Sequence, residues 1–216
     1  VFTLSFSRLS SVALICSLLT GCASGFDAAA STISQAWSAR KSLPSPRELN
    51  PDFQYLWVQA NGVQAYLALG GIEPHPQGPI EVWFSARSEI LRLQNGRIVG
   101  TTGMPVNWSN VTLRFDSQGK SYTRQRDETP GYRFNLQDSF VVQESRAVPA
   151  SVMERFQSMQ AKGAKAPAPV IWREDITQGV PSIRVGLAVN AQGQPPVAVY
   201  GEECLSKAFC ITWQRL

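Results

Sequence analysis

Two Asn-Gly dipeptides constrain this chain more than any other feature, because each favours a two-residue hairpin turn with positive φ at both positions. Asn61-Gly62 stands between Tyr55–Ala60 and Val63–Ala68. A two-residue loop there pairs Ala60 with Val63, Val58 with Ala65, and Leu56 with Leu67. Every residue on that face is apolar. The opposite face pairs Gln59 with Gln64 and Trp57 with Tyr66. A slip of one residue would send the apolar set to solvent, so register and burial agree. The second dipeptide, Asn95-Gly96, pairs Leu93 with Ile98, Arg92 with Val99, and Gln94 with Arg97. In that hairpin Leu91, Leu93 and Ile98 are expected to face the core, and Arg92 and Arg97 to face solvent.

Alternation of period two continues along the chain. It appears at Val111–Phe115, Tyr122–Arg124, Tyr132–Leu136, Phe140–Gln143, Ile183–Val189 and Val197–Tyr200, with turns at Ser117–Gly119 and Asn190–Gly193. Strands at this spacing predict a mainly β protein: an antiparallel meander curled into a barrel- or sandwich-like body with one or two short helices. One helix is expected in Phe26–Lys41, stopped by Pro44, Pro46 and Pro51. The other is expected near Ser151–Gln160, where Ser151 and Glu154 form a capping-box pattern. Ala161–Pro169 reads as a surface excursion.

The start of the chain addresses the rest of it. Arg8 precedes an apolar run, Leu9–Leu19, that is too short to span a bilayer comfortably. It ends in Leu18-Leu19-Thr20-Gly21-Cys22, which resembles a bacterial lipobox. The resemblance implies removal of residues 1–21 and lipidation of Cys22. Several acyl chains on one residue give a nearly permanent membrane anchor. Residue 23 is alanine rather than aspartate, which resembles an outer-membrane address with the body facing the periplasm. The expected organisation is therefore a signal peptide (1–21), a lipidated lead-in with a short helix and linker (22–52), and a single β-rich periplasmic domain (53–216).

The mature 195 residues carry 19 basic and 16 acidic side chains, a mild excess without a dense Lys/Arg cluster, so nucleic acid is not an expected partner. Cys204 and Cys210 read as a disulfide in an oxidising compartment, with two buried free thiols as the alternative. His75 is the only histidine and lies in a Pro-rich loop, so neither a metal site nor a cofactor is expected. No catalytic residue is assigned. The acidic doublets Asp127-Glu128, Glu174-Asp175 and Glu202-Glu203 read as solvated turns, since neighbours on a strand would point to opposite faces. Trp57 and Trp83 sit in strand patterns and read as core, whereas Trp108 and Trp213 read as exposed. Eight Lys/Arg between Arg87 and Arg133 face only four acids, which makes an anionic polysaccharide a candidate ligand. The residues nominated for contact with a glycan or a partner are Trp57, Tyr66, Trp108, Arg92 and Arg97.

Val82-Trp83-Phe84-Ser85, followed by Ile90 to Met104, forms a W-x-S … L-x-L-x-x-G-R-I-V-x-T-x-G run. This run, with the Trp57–Leu69 hairpin and the lipobox, resembles the YjbF family of lipoproteins, also called the GfcB or YmcC type. The resemblance covers about residues 53–116, and residues 145–216 read as a divergent C-terminal part. It implies an all-β body and a role in exopolysaccharide or group 4 capsule production, which the lack of a convincing catalytic set makes a non-catalytic one. It further implies a periplasmic partner protein and an outer-membrane β-barrel partner. Two other readings compete: a glycan-modifying periplasmic enzyme, and a lipid- or lipoprotein-carrying β module with a hydrophobic cavity.

Overall fold

The structure, a computed structural model, describes residues 49–150, 152–155, 171–189 and 195–216. Cys22 and its lipobox, the Phe26–Lys41 helix, the Ala161–Pro169 segment and the Asn190–Gly193 turn lie outside the described residues. Twelve strands follow in chain order: β1 (Tyr55–Ala60), β2 (Val63–Glu73), β3 (Ile80–Ser85), β4 (Ile90–Gln94), β5 (Arg97–Thr102), β6 (Asn107–Phe115), β7 (Ser121–Thr129), β8 (Arg133–Ser145), β9 (Ile171–Ile176), β10 (Ile183–Ala188), β11 (Val197–Ser206) and β12 (Phe209–Arg215). All pairings are antiparallel, and every strand lies beside its sequence neighbours except at one place. β1 pairs with β12, so the first and last strands close the ring, and the ladder is interrupted between β5 and β6. The meander is thus a nearly closed barrel-like sheet. Ala150 and 152–155 form a short helix before β9.

Both Asn-Gly turns have the required positive φ, at Asn61 and Gly62 and at Asn95 and Gly96. The first hairpin has the expected register throughout. In the second, Leu93 pairs with Ile98 and Gln94 with Arg97, but Arg92 lies opposite Gly100 and not Val99. A β-bulge causes the difference. Of the alternations read separately at Tyr132–Leu136 and Phe140–Gln143, all but Tyr132 form one strand, β8, and Tyr132 lies in the turn before it with φ of 49°.

The bulged β5 runs between two apolar clusters. Ile98 joins Leu56, Val58, Leu67, Trp83, Leu91 and Trp213 on one side. Val99 packs on the other side against Leu113, Tyr122, Phe140 and Val185. The hairpin tip is pressed close to β10 and β11: a Cβ on Gly96 would lie 2.6 Å from Val185 Cγ1 and 2.8 Å from Ala198 Cβ. Both strand edges at the interruption are met by side chains. The Ile98 N–H donates to Glu203 Oε2 at 2.9 Å, and Gln77 Nε2 donates to the Leu113 carbonyl at 2.9 Å. Such contacts protect edges that would otherwise recruit another chain.

Little space remains in the first cluster. A cavity of about 10 Å³ lies beside Val58, Ala60, Ala65 and Met104. That is about enough for one water and far too little for an acyl chain. Trp213, expected to be exposed, is completely buried, because β12 carries Phe209, Ile211 and Trp213 inward. Gly201 makes room for it: a Cβ there would lie 2.4 Å from the Trp213 ring. Cys204 and Cys210 form a disulfide that joins β11 to β12.

Candidate functional site

The acidic doublets are strand residues and not solvated turns. Each sends one carboxylate to either side of the sheet, as strand geometry requires. Asp175 and Glu203 point inward, and Glu128 is likewise buried. Their partners come mainly from β7, which places Tyr122, Arg124, Arg126 and Glu128 at its buried positions. Asp175 accepts from Arg97 Nε at 2.7 Å, from Arg97 Nη2 at 3.1 Å and from the Tyr122 hydroxyl at 2.9 Å. Arg173 lies 3.5 Å from the same carboxylate and donates to the Asn95 carbonyl at 2.7 Å. Glu203 pairs with Arg124, which also reaches Asp138 at 3.1 Å. Arg126 pairs with Asp138, and Arg133 with Glu128.

These charges act on one another at buried positions. Burial disfavours the Arg97 cation, but Asp175 and Tyr122 outweigh it and hold the guanidinium charged. Burial and the neighbouring Arg97 pull Arg173 down to about 10. Burial and Asp175 push the Tyr122 hydroxyl well above its ordinary range, which keeps it a donor. Burial also pushes the Glu203 carboxyl up, against the pull of Arg124 and the Ile98 N–H. Chemically, the inner network joins strands that are far apart in sequence. Breaking one such buried pair costs about 3–5 kcal/mol, since a lone charge is left behind.

The nominated contact residues do not form one site; Trp57 and Tyr66 alone among them pair. Arg97, expected in solvent, is only 5% exposed because β5 has protein on both faces. Trp108, expected in an exposed turn, is 1% exposed. It follows the turn into β6 and points inward, where Arg124 and Arg126 lie 4.2 and 4.6 Å from its ring centroid. Arg92 is partly exposed, 3.7 Å from Glu73. Trp57 and Tyr66 do pair, on the outer face, with Trp57 buried as expected of a core residue. The basic excess between Arg87 and Arg133 is largely neutralised inside: Arg97, Arg124 and Arg126 are buried against acids.

The outer face carries an arrangement that needs several strands to become visible. Gln64, Gln59, Thr212, Glu202, Arg184 and Glu174 stand in one register row across β2, β1, β12, β11, β10 and β9. The adjacent row runs Tyr66, Trp57, Gln214, Tyr200, Gly186 and Trp172. Gly186 has no side chain, and the rings of Tyr200 and Trp172 meet edge to face at 5.5 Å. Val148, Val152 and Leu216 cover this aromatic row. Arg155, from the short helix, donates to both Glu202 oxygens at 2.7 and 2.8 Å. Beside that contact, an open groove of about 450 Å³ is lined by Gln59, Asn61, Thr212, Cys210, Glu154 and Arg155. Gln214, the next residue of β12 on this face, is fully buried, and neither atom of its amide has a hydrogen-bond partner. An unmet buried polar group costs about 1–3 kcal/mol. The Gln59–Gln64 pair was legible in the first hairpin; its continuation onto β12 and β11 depends on non-local pairing.

No protein-family model matches the chain, and no curated protein matches it in sequence. A solved structure does match: the crystal structure of the hypothetical lipoprotein YmcC from Escherichia coli (K12). The TM-score is 0.50 at 14% identity, over 86% of this chain and 94% of that one. This chain has the YmcC fold. The YmcC-type resemblance read from the Trp83–Met104 run is therefore matched by the architecture of the whole β body.

Proposed function

We propose that this chain is a lipoprotein anchored through Cys22 to the outer membrane, facing the periplasm, where it assists assembly or export of a surface polysaccharide without catalysing a reaction. The observation that carries the reading is the combination of the Leu18–Cys22 lipobox with the fold of a lipoprotein. Among the described residues no helix is long and apolar enough to cross a membrane. In this reading the lipid on Cys22 supplies the attachment. The partners would be a periplasmic protein and an outer-membrane β-barrel. The inner carboxylates favour a non-catalytic role, because a glycosidase needs two carboxyls converging on a sugar in an accessible cleft. Here Asp175 and Glu203 are buried and held by Arg97 and Arg124.

Deleting the gene and measuring secreted polysaccharide tests the reading, under conditions where the strain makes it. Loss or marked reduction is expected. An unchanged yield would overturn the proposal.

A further inference from the structure

Three observations meet at the outer groove, and a fourth lies beside it, outside its lining. Its lining is mostly amide, hydroxyl and charged side chains: Gln59, Asn61, Thr212, Glu154 and Arg155. Gln59 and Thr212 are register partners, and Gln64 flanks Gln59 on the other side, so donors and acceptors lie in a straight row at strand spacing. Two residues along the same face of β12 is the fully buried Gln214 amide, with both its donor and its acceptor unmet. Among the described residues that line the groove, the one cation, Arg155, is engaged by Glu202.

We infer that this groove is a binding site for a neutral saccharide of about one or two sugar units, a size its volume can hold. Sugars present closely spaced hydroxyls that both donate and accept. Side-chain amides, which do the same, are their natural counterparts. Gln59 and Thr212 would form the floor, and Asn61 and Glu154 the rim. A hydroxyl or bridging water entering past Thr212 would supply what the Gln214 amide lacks. Charge balance favours an uncharged sugar over an acidic one, because Glu154 and Glu202 oppose a carboxylate and the arginine beside them is already paired. The inference deepens the proposed function by locating where the polysaccharide is touched, and it rests on that reading for the source of the sugar.

Saturation-transfer difference NMR on the purified full chain tests it, with maltose as probe and glucuronate as the charged control. Maltose is expected to bind with a Kd of about 1 mM and glucuronate more weakly. Gln59→Leu should weaken maltose by about tenfold. Gln214→Met should weaken it as well while leaving the melting temperature unchanged or raised, because it removes an unmet polar group. A stability role alone would not produce that opposite movement. Absence of maltose binding, wild-type maltose binding by both variants, or preference for glucuronate would each overturn the inference. The two readings separate in one strain. If Gln59→Leu restores polysaccharide to the deletion strain in full, the groove assignment fails while the proposed function stands.

Discussion

Asp175→Asn perturbs the inner network at its most connected point. The carboxylate takes three hydrogen bonds, from Arg97 Nε, Arg97 Nη2 and Tyr122, and it has no solvent exposure. An amide of the same shape turns one acceptor into a donor facing the Arg97 fork and removes the charge shared by Arg97 and Arg173. Both arginines are buried, at 5% and 8% exposure, and would then repel each other with no counter-charge between them. The expected loss is about 3–5 kcal/mol. For a domain of this size each kcal/mol moves the melting temperature by about 2–4 °C, giving a fall of about 6–20 °C. Urea unfolding followed by circular dichroism would show a lower midpoint at unchanged slope. The double variant Arg97→Met/Asp175→Leu should recover part of the loss, because replacing both partners leaves fewer stranded charges. An Asp175→Asn protein within about 0.5 kcal/mol of wild type, or strictly additive losses in the double variant, would refute the reasoning.

Three further outcomes follow from other parts of the fold. Gly96→Val should unfold at a clearly lower temperature, since it combines positive φ with a Cβ closer than 3 Å to Val185 and Ala198; an unchanged thermal midpoint would contradict the tip's placement. Replacing Cys204 and Cys210 together by alanine opens a loop with a sequence separation of 6, which should cost about 2 kcal/mol in equilibrium unfolding, a modest effect for a short loop. Asp116 accepts from Ser121 Oγ and from the backbone N–H of Lys120 and Gln118, contacts that hold its carboxyl below the ordinary range. Its contribution is present above the unfolded-state value of 3.8 and is lost as pH falls through the lower folded value. The difference in urea midpoint between wild type and Asp116→Asn should accordingly shrink below that pH.

What could be read from the sequence, and what could not, follows the direction in which polar residues point. The Asn61-Gly62 hairpin was legible to the last pair because its inward face is wholly apolar. β12 carries an equally clear alternation, Phe209, Ile211 and Trp213, and only its place at the chain end made Trp213 look exposed. β9 and most of β7 are different. Their buried positions hold Trp172, Arg173 and Asp175, and Tyr122, Arg124, Arg126 and Glu128, so the usual rule of apolar in and polar out is inverted. A charged residue at a buried position is identifiable only with its partner, and those partners lie about 80 residues away in the cases of Arg97–Asp175 and Arg124–Glu203. The same reason misplaced Arg97 and the acidic doublets. Of the candidate site, the local pairs Gln59–Gln64 and Trp57–Tyr66 were visible, while the rows they begin are completed by β12 and β11 through the β1–β12 closure.

In the proposed function, the β body serves polysaccharide export from an outer-membrane anchor at Cys22. The most direct test is to measure secreted polysaccharide in the deletion strain carrying either the wild-type gene or Cys22→Ser, with both proteins followed by membrane fractionation. Wild type should restore the polysaccharide from the outer-membrane fraction, whereas Cys22→Ser should leave that fraction and fail to restore it. Full restoration by Cys22→Ser, or its retention in the outer membrane through extensive washing, would contradict the account.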